Sequence, residues 1–304
     1  LFSEKKDFKS IELDSPSVTE EGLRWILFGK PVTRNVGLGQ VSVTNARLEL
    51  KHASVPVFAA QLKFDEEGAW SSIAIESNDR TTKLNLASKG ESVQFDIDAR
   101  SFKIPFGSKL TLEDWTAKGT VDRNGLSLSE FKGFIVGGFL SGNARLDWRA
   151  NWSLTGKLLA KQVDAELLAT GVLSNARIAG AATYSMQSSE SAKLFASPRL
   201  EGNLVVERGT LLGVDIGRML QGRGIRGDTR FVDLTAGFVH ERGATQLRQL
   251  HLSEGAMSAT GTVDIDAEMN VSGRLAVDLK LDSDRRRGTL AISGTSKNVK
   301  WNKQ

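Results

Sequence analysis

Strict alternation of apolar and polar residues is the feature that most constrains this chain. Met257, Ala259, Gly261, Val263 and Ile265 alternate with Ser258, Thr260, Thr262, Asp264 and Asp266. Leu275, Val277, Leu279 and Leu281 alternate with Ala276, Asp278, Lys280 and Asp282. Successive side chains of a strand point to opposite faces, so each segment has one apolar and one wet face. That is the pattern of a half-buried antiparallel sheet. It recurs at Ile73 and Ile75, at Leu84 and Leu86, at Val93, Phe95, Ile97 and Ala99, and at Leu140, Ala144, Leu146 and Trp148.

The punctuation between these runs predicts hairpins. Turn candidates are Asp65–Gly68, Ser88–Gly90, Asn124-Gly125, Glu207–Gly209, Glu241–Gly243, Ser253–Gly255 and Arg287-Gly288. Asn-Gly is the strongest of them, because both residues tolerate positive φ. Thirty glycines against five prolines suit many short strands. Roughly eighteen strands are expected, too many for a flat open sheet, so twist should curl or split it. Helical signals are sparse. Ser17-Val18-Thr19-Glu20 reads as a capping box opening a helix over 18–28. Short helices are also expected at 164–170 and 214–221, and a loop or short helix between 187 and 198. A soft boundary falls near 125–135.

Composition narrows the function classes. At 40% hydrophobic and 25% charged, the 304 residues are neither disordered nor a membrane bundle. No stretch approaches the roughly 20 apolar residues of a spanning helix. Leu1 is not an initiator residue, so the chain reads as a processed or truncated piece, with any membrane anchor upstream. The absence of cysteine excludes disulfides, cysteine-ligated zinc and thiol catalysis. A net charge of +4 permits contact with anionic lipid, but no basic helix or aromatic RNA-binding motif points to nucleic acid.

Candidate chemical motifs each have a plainer reading. Gly222, Gly224 and Gly227 spell G-x-G-x-x-G, but a helical segment precedes it and a strand follows, the reverse of a dinucleotide site. A loop is expected there. Arg218, Arg223, Arg226 and Arg230 make that loop basic, and guanidinium groups suit phosphate. His52, His240 and His251 lack metal-ligand spacing and read as sheet-surface residues. Asp264/Asp266 and Asp282/Asp284 are paired carboxylates with nothing to enclose them, so a solvated rim is expected rather than acid–base chemistry. Arg285, Arg286 and Arg287 read as a charged hairpin tip. With no G-x-S-x-G, P-loop or H-E-x-x-H, no catalytic, cofactor-binding or metal-binding residue is assigned, no cofactor is expected, and the chain is read as a non-enzyme.

The C-terminal half resembles a known family. Residues 134–148, with IVGGFLSGNARLDW at their core, look like a glycine-rich strand ending in tryptophan. Leu200 to Ile216, LEGNLVVERGTLLGVDI, combines a strand, a glycine turn and an apolar-Gly-apolar-Asp-apolar entry to a short helix. The hairpin from Thr229 through Gly243 and the closing strands LHLSEGAMSATGTVDI, Leu250 to Ile265, follow in order. Together they resemble the C-terminal region of the AsmA-like group of Gram-negative envelope proteins, over about 133–304. Residues 1–132 share only its style of strand and turn and are read as the N-terminal β-rich segment of the same groove.

The resemblance implies an elongated, curved, mostly antiparallel β-groove with an apolar interior. It implies a body in the periplasm tethered to the inner membrane, and a part in phospholipid transport or outer-membrane biogenesis. On that reading acyl chains of a phospholipid or related lipid lie along Leu204, Val206, Leu234, Phe238, Val263, Ile265, Leu275, Val277 and Leu279. Arg223 and Arg226 would meet head groups. The alternative is a structural or chaperone-like envelope module that binds protein partners at sheet edges. The residues alone leave open whether the stripe is a trough or a closed core.

Overall fold

Period-two patterning becomes strand almost throughout the computed structural model, which describes residues 6–29, 36–49, 55–103, 111–168, 171–281 and 284–304. The architecture is all-β and mostly antiparallel, with twenty strands and only short helices among the described residues. The chain divides into two compact units. The first comprises Leu1–Lys103, Thr111–Gly133 and Asn143–Arg149; the second comprises Ile104–Leu110, Phe134–Gly142 and Ala150–Gln304.

In the first unit, β1 (Lys6–Asp14) and the short β2 (Ser17–Thr19) precede helix α1 (Glu20–Phe28), and both strands pair in parallel with β3 (Val36–Glu49). From β3 an antiparallel meander runs through β4 (Phe58–Phe64), β5 (Trp70–Ser77), β6 (Thr82–Lys89), β7 (Ser92–Lys103) and β8 (Thr111–Val121). β9 (Gly125–Ile135) and β10 (Gly138–Asp147) pair with each other and contribute residues to both units.

The second unit begins with β11 (Trp152–Asp164), α2 (Ala165–Leu168) and β12 (Leu173–Ser174). β13 (Arg177–Ser188) pairs with β11 and with β14 (Arg199–Leu211), which helix α3 (Ile216–Leu220) follows. The antiparallel ladder continues through β15 (Thr229–Glu241), β16 (Ala244–Glu254), β17 (Met257–Ile265), β18 (Val271–Lys280), β19 (Arg285–Thr295) and β20 (Asn298–Lys303).

Local chemistry explains where the elements depart from the sequence reading. α1 is capped by Thr19, whose Oγ1 accepts from Gly22 N at 3.2 Å, rather than by Ser17. Ser17 lies in β2, and its hydroxyl donates to Glu49 at 2.6 Å. At Asn124-Gly125 neither residue takes positive φ. The turn is instead built by Asp122, whose carboxylate accepts from Asn124 N at 2.7 Å and Gly125 N at 3.0 Å. Glu207–Gly209 is no turn but lies inside β14, with Arg208 at φ 46°. Arg287-Gly288 lies inside β19; the hairpin closes earlier, where Leu281 N donates to Asp284 O at 2.7 Å. The expected helices at 164–170 and 214–221 are present as α2 and α3, and a single 3-10 turn, Ser191–Lys193, occupies the 187–198 stretch.

The two units differ in how they treat their apolar faces. In the second, Val206, Leu234, Leu252, Ala259 and Val277 lie opposite one another across successive strands. Directly opposed residues share a face. This row joins a cluster with Ile216 and Leu220 of α3, Leu290 of β19 and Phe231 of β15. α3 therefore supplies a second layer over its sheet. In the first unit the corresponding rows have little cover. Leu62, Leu86 and Phe95 flank Ile73, and Val43, Ala60, Ile75, Leu84 and Ile97 form the next row. Of these only Ile73 is buried; the rest are half-buried.

Candidate functional site

The expected lipid-facing residues share one face of the second unit but fall into two environments. Val206, Leu275, Val277 and Leu279 are between 1% and 7% exposed, part of a closed core. Leu204, Leu234, Phe238, Val263 and Ile265 are half-buried. Phe238, Leu247, Val263, Gly273, Ile292 and Trp301 stand opposite one another in a row across β15 to β20. The stripe is thus closed core toward α3 and partly open farther along the strands.

The closed end follows from the loop after β14. Gly213 at φ 77° lets the chain turn back over the sheet, and Asp215 caps α3 by accepting from Arg218 N at 2.8 Å. Buried Thr229 ties the segment down. Its Oγ1 accepts from Ile216 N at 2.9 Å and donates to Val214 O at 2.7 Å. Lys303 of β20 donates to the Leu220 carbonyl at 2.8 Å. Beneath the helix one strand of the sheet carries a glycine. A Cβ on Gly288 would stand 2.6 Å from Leu220 Cδ1, so glycine there leaves room for the leucine.

Arg223 and Arg226 are exposed on the loop between α3 and β15, where Gly222, Gly224 and Gly227 all take positive φ. The G-x-G-x-x-G stretch is a loop, as its context requires. Between the two arginines, Ile225 packs against the core cluster.

The other motifs resolve into local structure. Asp264 pairs with Arg248 at 2.9 Å, whereas Asp266 closes a turn by accepting from Asn270 N at 2.7 Å and Nδ2 at 2.9 Å. The Asn270 hydrogen bonds hold the Asp266 carboxyl below its usual range. The two acids serve separate structural partners rather than one reaction centre. Asp278 accepts from Arg285 and from Arg287 Nε at 3.1 Å, while Arg286 pairs with Asp284 at 3.1 Å. The Arg285 hydrogen bond, more than any other influence, pulls the Asp278 carboxyl down to about 2. Arg285, Arg286 and Arg287 thus open β19 rather than forming the hairpin tip, and acids largely offset their charge. His240 is half-buried in β15, with Nδ1 2.9 Å from Oγ1 of Thr245, its cross-strand partner on β16. His251 is exposed. His52 and Asp282 lie outside the described residues. Among the described residues, no group of three or more His, Cys, Asp or Glu could hold a metal ion. Nor does any helix there have the length and apolarity to cross a membrane.

Missing from the expected site were the residues of the first unit. Its open rows are centred on Ile75, Leu84, Ile97, Leu86 and Phe95, all half-buried. Near one end of these strands, α1 overhangs a cavity of about 360 Å³ lined by Trp25, Phe28, Leu62, Phe64, Trp70 and Arg123. α1 buries none of its own residues, so it caps that end loosely, unlike α3. The alternation at 73–99 was visible in the sequence. Which stretch would acquire a covering helix was not, because α3 is only five residues long.

A scan of family models and searches of curated proteins and of solved structures found no match to this chain.

Proposed function

We propose that this chain is a non-catalytic binding module that holds acyl chains of phospholipid or a related lipid against the apolar face of its sheet. The observation that carries this reading is the pair of half-buried rows on the first unit, one centred on Ile75, Leu84 and Ile97 and the other on Leu86 and Phe95. A closed sandwich would bury such side chains under a second layer. From Val43 on β3 to Ile97 on β7 the row crosses four inter-strand steps, about 19 Å. That is close to the length of an extended acyl chain of roughly sixteen carbons.

Energetics favour a loose hold. Full burial of a methylene contributes about 0.8 kcal/mol, and an open face covers roughly half of it, giving on the order of 6 kcal/mol for such a chain. This is enough to keep the chain out of water but less than a bilayer offers. The module would therefore shelter lipid and release it readily to a membrane. Together with the resemblance in residues 133–304, this reading puts the protein among periplasmic envelope modules tethered to the inner membrane, in lipid transport or outer-membrane biogenesis.

The test is incorporation of photo-leucine, followed by illumination with phosphatidylglycerol vesicles and peptide mass spectrometry. Lipid adducts are expected at Leu62, Leu84 and Leu86, and not at exposed Leu159 and Leu281. No adducts, or equal labelling at Leu159 and Leu281, would overturn the reading.

A further inference from the structure

We propose that α3 is a stopper that ends the lipid-accessible part of the second unit's apolar face, with Leu220 as the residue that sets the limit. This rests on the acyl-chain reading above and specifies where along the face a chain can lie. Three observations carry it. First, α3 lies on the face itself, with Ile216 wholly buried and Leu220 only 2% exposed within the cluster that includes Val277 and Leu279. Second, the floor is shaped to receive it: Gly288 leaves the space that Leu220 Cδ1 fills. Third, the helix is fastened from both sides, by Thr229 of β15 to the backbone before it and by Lys303 of β20 to the Leu220 carbonyl.

The physical consequence is a blind end. An apolar chain lying along Phe238, Leu247 and Val263 meets half-exposed side chains that can cover it. To pass toward Val277 and Leu279 it must displace Leu220 and uncover a dry core. It would gain no more apolar contact there than the leucine gives up. The stopper therefore fixes an upper length for the segment the second unit can hold. The first unit has no such barrier in α1, which buries none of its own residues.

The same photo-leucine experiment on the 304-residue chain separates this proposal from the one it rests on. In the wild-type chain, adducts with phosphatidylglycerol are expected at Leu247 and Leu204. Those at Leu279 and Leu290 should be weaker by roughly tenfold or more, because Leu220 must first be expelled. In Leu220→Ala, adducts at Leu279 and Leu290 should rise toward the Leu247 level. Leu220→Val, which empties less of the core, gives a second variant if the alanine loses its unfolding transition. Wild-type labelling at Leu279 or Leu290 equal to that at Leu247 overturns the stopper, as does a folded Leu220 variant with an unchanged map. Labelling at Leu84 and Leu86 without any in the second unit overturns the stopper and leaves the acyl-chain reading standing. An unlabelled chain sinks both.

Discussion

Replacing Thr229 with valine should loosen α3 without changing the shape of the core. The side chain is 5% exposed, and its hydroxyl serves two backbone groups, Ile216 N–H and the Val214 carbonyl. Val214 and Ile216 are themselves wholly buried, so water cannot replace the lost partner. Each orphaned group costs about 1–3 kcal/mol. The added methyl returns about 0.8 kcal/mol, leaving a net loss of roughly 1–5 kcal/mol for the two groups together. With a urea slope near 2–3 kcal/mol per molar, the midpoint should fall by about 1 M. Hydrogen exchange should show the loss concentrated at residues 212–228. Thr229→Ser, which keeps the hydroxyl, should lose about 1 kcal/mol or less. A Thr229→Val midpoint equal to wild type, or a serine variant as unstable as the valine, would refute the assignment of the hydroxyl as the fastening.

Other expectations follow from the same geometry. Val277→Asp with Leu279→Asp places two charges in a closed core at several kcal/mol each, so the cooperative unfolding transition should be lost. Ile75→Asp with Leu84→Asp, on the half-buried rows, should keep the β signal in circular dichroism and lose lipid adducts. Tyr184 is the only tyrosine, and burial pushes its phenol up to about 12. Phenolate absorbance should therefore titrate near 12 in the folded chain and near 10 when unfolded, with stability falling as pH rises through that interval. Asp278, held down to about 2 mainly by its Arg285 hydrogen bond, works in the opposite sense. Its contribution is present above 3.8 and lost as pH falls toward 2. Asp278→Asn should flatten the acid limb of the stability curve there.

The strands were legible because alternation is a local property, and β17 and β18 run where Met257–Ile265 and Leu275–Leu279 alternate. Turn chemistry was less legible. Gly288 looked like punctuation, yet it serves a leucine 68 positions earlier in the chain, a contact that no window of sequence contains. Arg208-Gly209 looked like a hairpin but is an irregularity within β14, where a Cβ on Gly209 would meet Phe231 Cζ at 2.5 Å. For the site, polarity patterning identified the face but not its cover. Val277 and Val263 carry the same periodic signal. They differ in cover: Val277 lies within the cluster that Ile216 and Leu220 of α3 complete, whereas Val263 packs half-buried at its edge.

The parallel pairing of β1 with β3 has a consequence for the order of folding. Asp14 is held by Thr44 Oγ1 at 2.7 Å and Asn45 Nδ2 at 3.0 Å, partners thirty residues or more downstream. The antiparallel ladder from β3 to β8 closes hairpin by hairpin, each step joining neighbours in sequence. Among the described residues β1 has no such local partner. During synthesis it must wait, unpaired, through β2, α1 and the whole of β3. Long-range pairings of this kind are slow, because loop-closure entropy is lost before any contact repays it. For that interval the strand KDFKSIELD presents unmatched backbone edges, and its charged residues Lys6, Asp7, Lys9, Glu12 and Asp14, five of the nine, guard against premature association.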